Sequence, residues 1–226
     1  SIPLTHFLWM VELQDILSVL IFALIFELFI YFNFGGLSLL IYGLFGMLGF
    51  KIPLNFNKPF FATSPSDYWT RWHISLSTWV RDYLYYPLVF KNRKSSSLVF
   101  ISLLISMIVM GIWHGASWNF LIWGGIHGVF LVCFTMLRKK FPTASSNKFF
   151  KSKLGKIFSI LVTQYLIFLT FIVFWMRDLE HMIYAVKKYI FLDFALDKTI
   201  DIVDANEFPI FLLISFGILH YLSYRN

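Results

Sequence analysis

The first residue of this sequence that could do chemistry is His114, which stands between two long apolar runs with Gly115 behind it. An exposed imidazole has a pKa near ~6.5, so at neutral pH it is mostly uncharged and can take a proton from a hydroxyl. Glycine beside it leaves room for a substrate to approach closely. The pairing suits activation of a hydroxyl as nucleophile against an acyl ester. Ahead of it, Thr70, His73, Ser77 and Arg81 recur at a spacing that would place them on one helix face. Ionisable side chains at membrane depth normally face the protein interior or a wet cavity. A plainer account competes at every point. A lone histidine in an apolar hairpin is more often a hydrogen-bonded framework residue, and Arg81-Asp82 reads equally as a surface pair of little energetic weight.

Two stretches concentrate this polarity: Asp67 to Tyr83 (DYWTRWHISLSTWVRDY) and Gly111 to Gly128 (GIWHGASWNFLIWGGIHG). Six of the eight tryptophans lie in them, whereas an interfacial belt would scatter tryptophan over many helix ends. Packing and anchoring remain the default role for these rings. The six histidines are His6, His73, His114, His127, His181 and His220. None forms the i, i+4 pair of a zinc-protease helix, so no metal site is expected. No phosphate-cradling loop, nucleophile elbow or dinucleotide-binding glycine pattern is present. Cys133 is the single cysteine, which excludes an internal disulfide.

The elements that must hold these residues are apolar runs. Ile16 to Phe32 is broken only by Glu27, which could mark a helix end or a pathway in equal measure. Gly35-Gly36 is expected to interrupt the chain before a second run, Leu37 to Phe50. Lys51 to Pro65 reads as irregular, since Pro53, Pro59 and Pro65 lack an amide donor and restrict the residues before them. Ser66-Asp67 would then cap a helix from about Tyr68 to Tyr86, too charged to face lipid and ended by Pro87. Leu98 to Trp113 and Trp118 to Leu137 form a hairpin, followed by the runs Ile157 to Met176 and Phe208 to Leu222. A spanning helix needs about 20 apolar residues.

Charge gives the expected topology. Lys91–Lys94 and the stretch Arg138 to Lys156, which has seven basic residues and no acid, would be cytoplasmic loops by the positive-inside rule. Asp178 to Glu207, with seven acids, would lie outside, and Arg225 would return the tail to the cytoplasm. With 58% apolar residues, 14% charged residues, 28 Phe and a mean hydropathy of +0.72, a soluble fold is excluded. The net charge of +7 falls in loops between apolar runs rather than on a soluble basic face, so nucleic acid is not the expected partner. Residues 1–226 read as one all-α membrane domain, a polytopic transmembrane helical bundle with short, broken and amphipathic helices; that these surround a buried tunnel is what the resemblance described next implies.

Three groups of words carry a family resemblance: Asn55-Phe56-Asn57-Lys58-Pro59-Phe60, then Asp67 through Pro87, then Gly111 to Gly128. Phe174-Trp175-Met176-Arg177 is a weaker echo. Over residues 55–177 the chain resembles the membrane-bound O-acyltransferase family, in the bacterial branch of the alginate O-acetylation and teichoic-acid D-alanylation membrane proteins. The resemblance implies transfer of an acyl group, acetyl in the first instance, to a hydroxyl of a cell-envelope polysaccharide or similar acceptor. It makes His114 the catalytic base and His73 the second polar residue of the same tunnel, with Trp72, Trp113 and Trp118 shaping and drying it and Arg81 beside it. His73 or Asn119 would be the donors to a developing oxyanion. It further implies no bound cofactor, and a co-substrate such as acetyl-CoA or an acyl carrier protein. It implies a multi-pass place in the bacterial inner membrane and an extracytoplasmic partner transferase.

Two departures stand out. Where the branch has an Asp-Phe-Ser-Gly-Tyr-Ser-Asp word, this sequence reads Asn33-Phe34-Gly35-Gly36-Leu37-Ser38-Leu39, without the acids and the tyrosine. The family also runs to about twice this length, so the chain is expected to be the C-terminal catalytic part of a longer fold. The alternatives are a transporter or channel with functional intramembrane histidines, and a non-catalytic subunit of an acylation complex.

Overall fold

A computed structural model of the chain describes residues 16–90, 95–143 and 147–191. The loop Lys91–Lys94, most of the acid-rich stretch, the run Phe208 to Leu222, Arg225, His6 and His220 lie outside these residues. Among the described residues every regular element is helical.

Helix α1 (Ile16–Met47) is continuous through Gly35-Gly36, so the two runs expected there are one helix. Glycine weakens a helix interior by only about 1 kcal/mol relative to alanine, and the apolar residues on either side outweigh that. A single 3-10 turn (Pro59–Phe61) leads to α2 (Pro65–Trp69). The cap of α2 is Ser64, not Ser66-Asp67: its hydroxyl accepts from the Asp67 amide at 3.1 Å, and Pro65 fills the first helical position. Asp67 then reaches back and accepts from the Thr63 amide at 2.9 Å, so two orphan donors are satisfied reciprocally.

The expected helix from Tyr68 to Tyr86 is broken at Thr70–His73 and restarts as α3 (Ile74–Val80). The break separates Thr70 and His73 from the regular helix that carries Ser77. Pro87 does not end the segment. A π turn (Arg81–Tyr85), in which the Tyr86 amide bonds to Arg81 O, precedes α4 (Tyr86–Phe90). The wider turn relieves the clash a proline ring makes with an ordinary α-helical carbonyl.

Helices α5 (Ser96–His114) and α6 (Trp118–Lys140) form the expected hairpin. Their approach is set by glycine: a Cβ on Gly124 would lie 2.4 Å from Met107 O, and one on Gly111 would lie 2.2 Å from Phe120 O. Small residues permit such backbone contact, which is how helices associate where lipid removes the hydrophobic drive. A short turn, α7 (Lys148–Lys151), precedes α8 (Lys153–Trp175), and α9 (Leu179–Ile190) follows, capped by Asp178. Helix α8 packs against α1, α6 and α9. Among the described residues four helices are long and apolar enough to cross a membrane: Val19–Met47 within α1, α5, α6 and α8. Their outer faces expose large apolar side chains such as Leu39, Ile101, Val129 and Leu161, as a hydrocarbon environment requires.

Candidate active site

His114 is the last residue of α5, and Gly115 leaves the helix in extended backbone. The imidazole is boxed by aromatic rings. Trp113, Trp123 and Phe174 meet it edge-to-face with centroids 4.9, 5.1 and 5.0 Å away, and Phe120 lies at 6.0 Å. A Cβ on residue 115 would come within 2.7 Å of the Phe120 ring, so glycine there keeps that wall in place.

His73 reaches the same place by a different route. Its backbone is left-handed (φ 43°, ψ 55°), and it is the N-cap of α3 without a side-chain capping bond of its own. The cap is supplied by Asn55, whose Oδ1 accepts from the Ser75 amide at 3.1 Å and from the Ser75 hydroxyl at 2.6 Å. The Asn55 carbonyl takes the Ile74 amide at 2.9 Å, and the Asn57 amide donates to Arg71 O at 2.9 Å. The Asn55-Phe56-Asn57 word thus clamps the Arg71-Trp72-His73 word. The His73 ring lies against Phe34 at 4.6 Å and Trp113 at 6.1 Å. Burial, with His114 nearby, pushes the His73 pKa down to about 4, which keeps it uncharged at neutral pH.

His73, His114 and Trp72 line one cavity of about 40 Å³, room for about two or three waters. Of the other residues named from the sequence, Asn119 is buried but spends its amide on Phe174 O at 2.6 Å and does not line the cavity. Trp118 is 75% exposed on the far side of the hairpin turn. Trp113 is 62% exposed, yet its ring touches both His73 and His114, closing the pair from outside. Arg81 is exposed and paired with Asp82 at 2.8 Å, away from the cavity.

Wall residues that were given no role in the sequence include Tyr68, Trp123 and His127. Tyr68 is wholly buried, stacks between Trp72 (5.5 Å, 15°) and His127 (6.5 Å, 14°), and its hydroxyl faces Glu27 Oε1 at 3.5 Å. Glu27 lies buried within α1 rather than at a helix end. The sequence signals for these were the lone acid in an apolar run and their place inside the two aromatic-rich stretches, Asp67 to Tyr83 and Gly111 to Gly128. Despite three imidazoles in one wall, no three His, Cys, Asp or Glu side chains among the described residues converge as metal ligands.

Residues 10–176 match the model of the membrane-bound O-acyltransferase family. The chain belongs to this family. A probable alginate O-acetylase AlgI of Azotobacter vinelandii is 45% identical over 116 residues, which are 51% of this chain and 23% of that protein. A peptidoglycan O-acetyltransferase of Helicobacter pylori is 34% identical over 164 residues, 73% of this chain and 30% of that protein. A teichoic acid D-alanyltransferase of Streptococcus thermophilus is 35% identical over 160 residues, 64% of this chain and 38% of that protein. The chain therefore spans well under half the length of these three relatives. As a member of the family, it brings Trp72 and His73 of the Arg-Trp-His word to one cavity with His114 of the Trp-His-Gly word, 41 residues beyond His73.

Proposed function

We propose that the chain is the catalytic part of a membrane-embedded O-acyltransferase that moves an acetyl group onto a hydroxyl of a cell-envelope polysaccharide. The observation that supports this reading best is the enclosure of His114. Its imidazole ends a membrane-length helix and stands in an aromatic box that opens on the cavity shared with His73. No acid among the described residues is hydrogen-bonded to it, and in this reading it enters the reaction as a neutral base.

In the step this geometry supports, His114 takes the proton of the acceptor hydroxyl as the oxygen attacks the carbonyl carbon of an acyl thioester. The new C–O bond forms, the C–S bond breaks, and the proton on His114 passes to the departing thiolate. Trp72, Trp123 and Phe174 exclude bulk water, which would otherwise compete as acceptor. The donor is an acyl thioester such as acetyl-CoA or an acyl carrier protein. The two basic loops would lie on the cytoplasmic side of a bacterial inner membrane, and an extracytoplasmic partner transferase would complete delivery to the polymer.

The test is transfer of radiolabelled acetyl from acetyl-CoA into envelope polymer, in membranes carrying the full-length protein or His114→Gln at matched levels. Loss of label in the variant alone is the expected result. Equal labelling in both removes His114 as the base.

A further inference from the structure

His127 has no part in the step described so far, yet it is among the most enclosed polar residues of the molecule. It is 2% exposed, one helical turn beyond Trp123 on α6, and lines the cavity together with His114. Three rings fix its orientation. Trp123 and Trp69 meet it edge-to-face at 4.7 and 5.0 Å, and Tyr68 stacks on it. Tyr68 is held in turn against Trp72 on its other side and by its hydroxyl towards Glu27. An imidazole clamped this firmly cannot turn to find a partner.

It also has none. Nδ1 of His127 is sealed from solvent without a hydrogen bond, so Nε2 is the atom left to meet a ligand. With Nδ1 enclosed where no ligand reaches it, the neutral ring that carries its proton on Nε2 can offer that one N–H to a group in the cavity. Of the donors named from the sequence, the amide of Asn119 is already committed to Phe174 O; Nδ1 of His73 and the indole N–H groups of Trp69 and Trp123 are, like His127, buried in the wall without a partner. Trp123 touches both imidazoles, His114 at 5.1 Å and His127 at 4.7 Å. Both imidazoles therefore line the cavity beside the same indole.

We propose that His127 donates the hydrogen bond that holds the acyl carbonyl oxygen while His114 takes the proton of the attacking hydroxyl. This rests on the acyl-transfer reading above. His127 keeps its proton throughout; as the carbonyl becomes a tetrahedral oxyanion, the bond from His127 shortens and strengthens. A fixed neutral donor in a dry site needs no reorganisation at that moment, which makes this kind of contact effective.

The experiment uses the full-length protein in membranes, with acetyl-CoA as labelled donor and four forms at matched level: wild type, His114→Gln, His127→Phe and His127→Gln. Phenylalanine keeps the ring packing and removes the donor; glutamine offers an amide N–H. The expected result is a fall in maximal rate of about 10²–10³-fold for His127→Phe, with apparent KM for acetyl-CoA within about threefold of wild type. His127→Gln should recover at least about tenfold of that loss. A rate for His127→Phe near wild type, or equal rates for the two His127 variants, overturns the proposal. Where His127→Phe does not reach the membrane folded, His127→Asn decides. Its shorter amide must run at least about tenfold slower than His127→Gln, and equal rates overturn the proposal. Label lost in His114→Gln but kept in His127→Phe overturns this inference alone; no label in wild type overturns the acyl-transfer reading with it.

Discussion

The side-chain amide of Asn119 donates to the backbone carbonyl of Phe174 at 2.6 Å, tying the first turn of α6 to the last turn of α8. That carbonyl is one of the helix-end acceptors with no partner inside α8. The ring of the same residue packs edge-to-face on His114. The bond therefore fixes one wall of the aromatic box. Asn119→Ala leaves the carbonyl unpaired, a cost of about 1–3 kcal/mol, and should lower both the melting temperature in detergent and the acetyl-transfer rate. Asn119→Asp keeps the shape but loses the donor, and should do the same. Unchanged melting in both variants would refute the tie.

The left-handed backbone of His73 makes a second prediction. Asparagine visits that region far more readily than other residues with a Cβ, whereas alanine is strained there by about 1–2 kcal/mol. His73→Asn should therefore melt above His73→Ala and retain more acetyl transfer, although both lose the imidazole. The reverse order would mean that the Asn55 clamp does not hold residue 73 in this conformation.

How far this site was legible in the sequence depends on the length of the contact. The membrane-length helices followed from apolar runs, although two of those runs are the single helix α1, and the α5–α6 hairpin followed from the short polar break at His114–Ser117. The break before α3 was not visible, because its cap is Asn55, 20 residues upstream of Ser75. Asn119 was read as a possible oxyanion donor because its partner, Phe174 O, is 55 residues away. Tyr68 and Glu27, separated by 41 residues, gave the same difficulty. Periodicity reports which face of a helix is apolar, not which polar atom on another helix meets it.

Acid provides a third test. Burial, reinforced by His114, lowers the His73 pKa to about 4, against ~6.5 for an exposed imidazole. Between those values the unfolded chain takes a proton that the folded chain refuses. Stability contributed by this residue therefore falls as pH drops from about 6.5 towards 4. His73→Asn removes the titrating group, so its melting temperature should decline less than that of wild type between about pH 7 and pH 5. Parallel declines would show that His73 is not buried as described.

Adjacent glycines on α6 should behave in opposite ways. A Cβ on Gly124 would stand 2.4 Å from Met107 O, a backbone atom that cannot move without parting the hairpin, while a Cβ on Gly125 would meet nothing within 4 Å. Parting α5 from α6 would shift Trp123 and His127 away from His114, since the first two ride on α6 and the third ends α5. Gly124→Ala is thus expected to reduce the folded protein recovered from membranes and to abolish acetyl transfer in what remains. Gly125→Ala should leave transfer intact and, by restricting the unfolded chain, raise stability by about 0.4–1 kcal/mol. Quantifying folded protein by size-exclusion in detergent, alongside the labelling assay, separates the two. Equal tolerance at both positions would mean that the helices do not approach through Gly124.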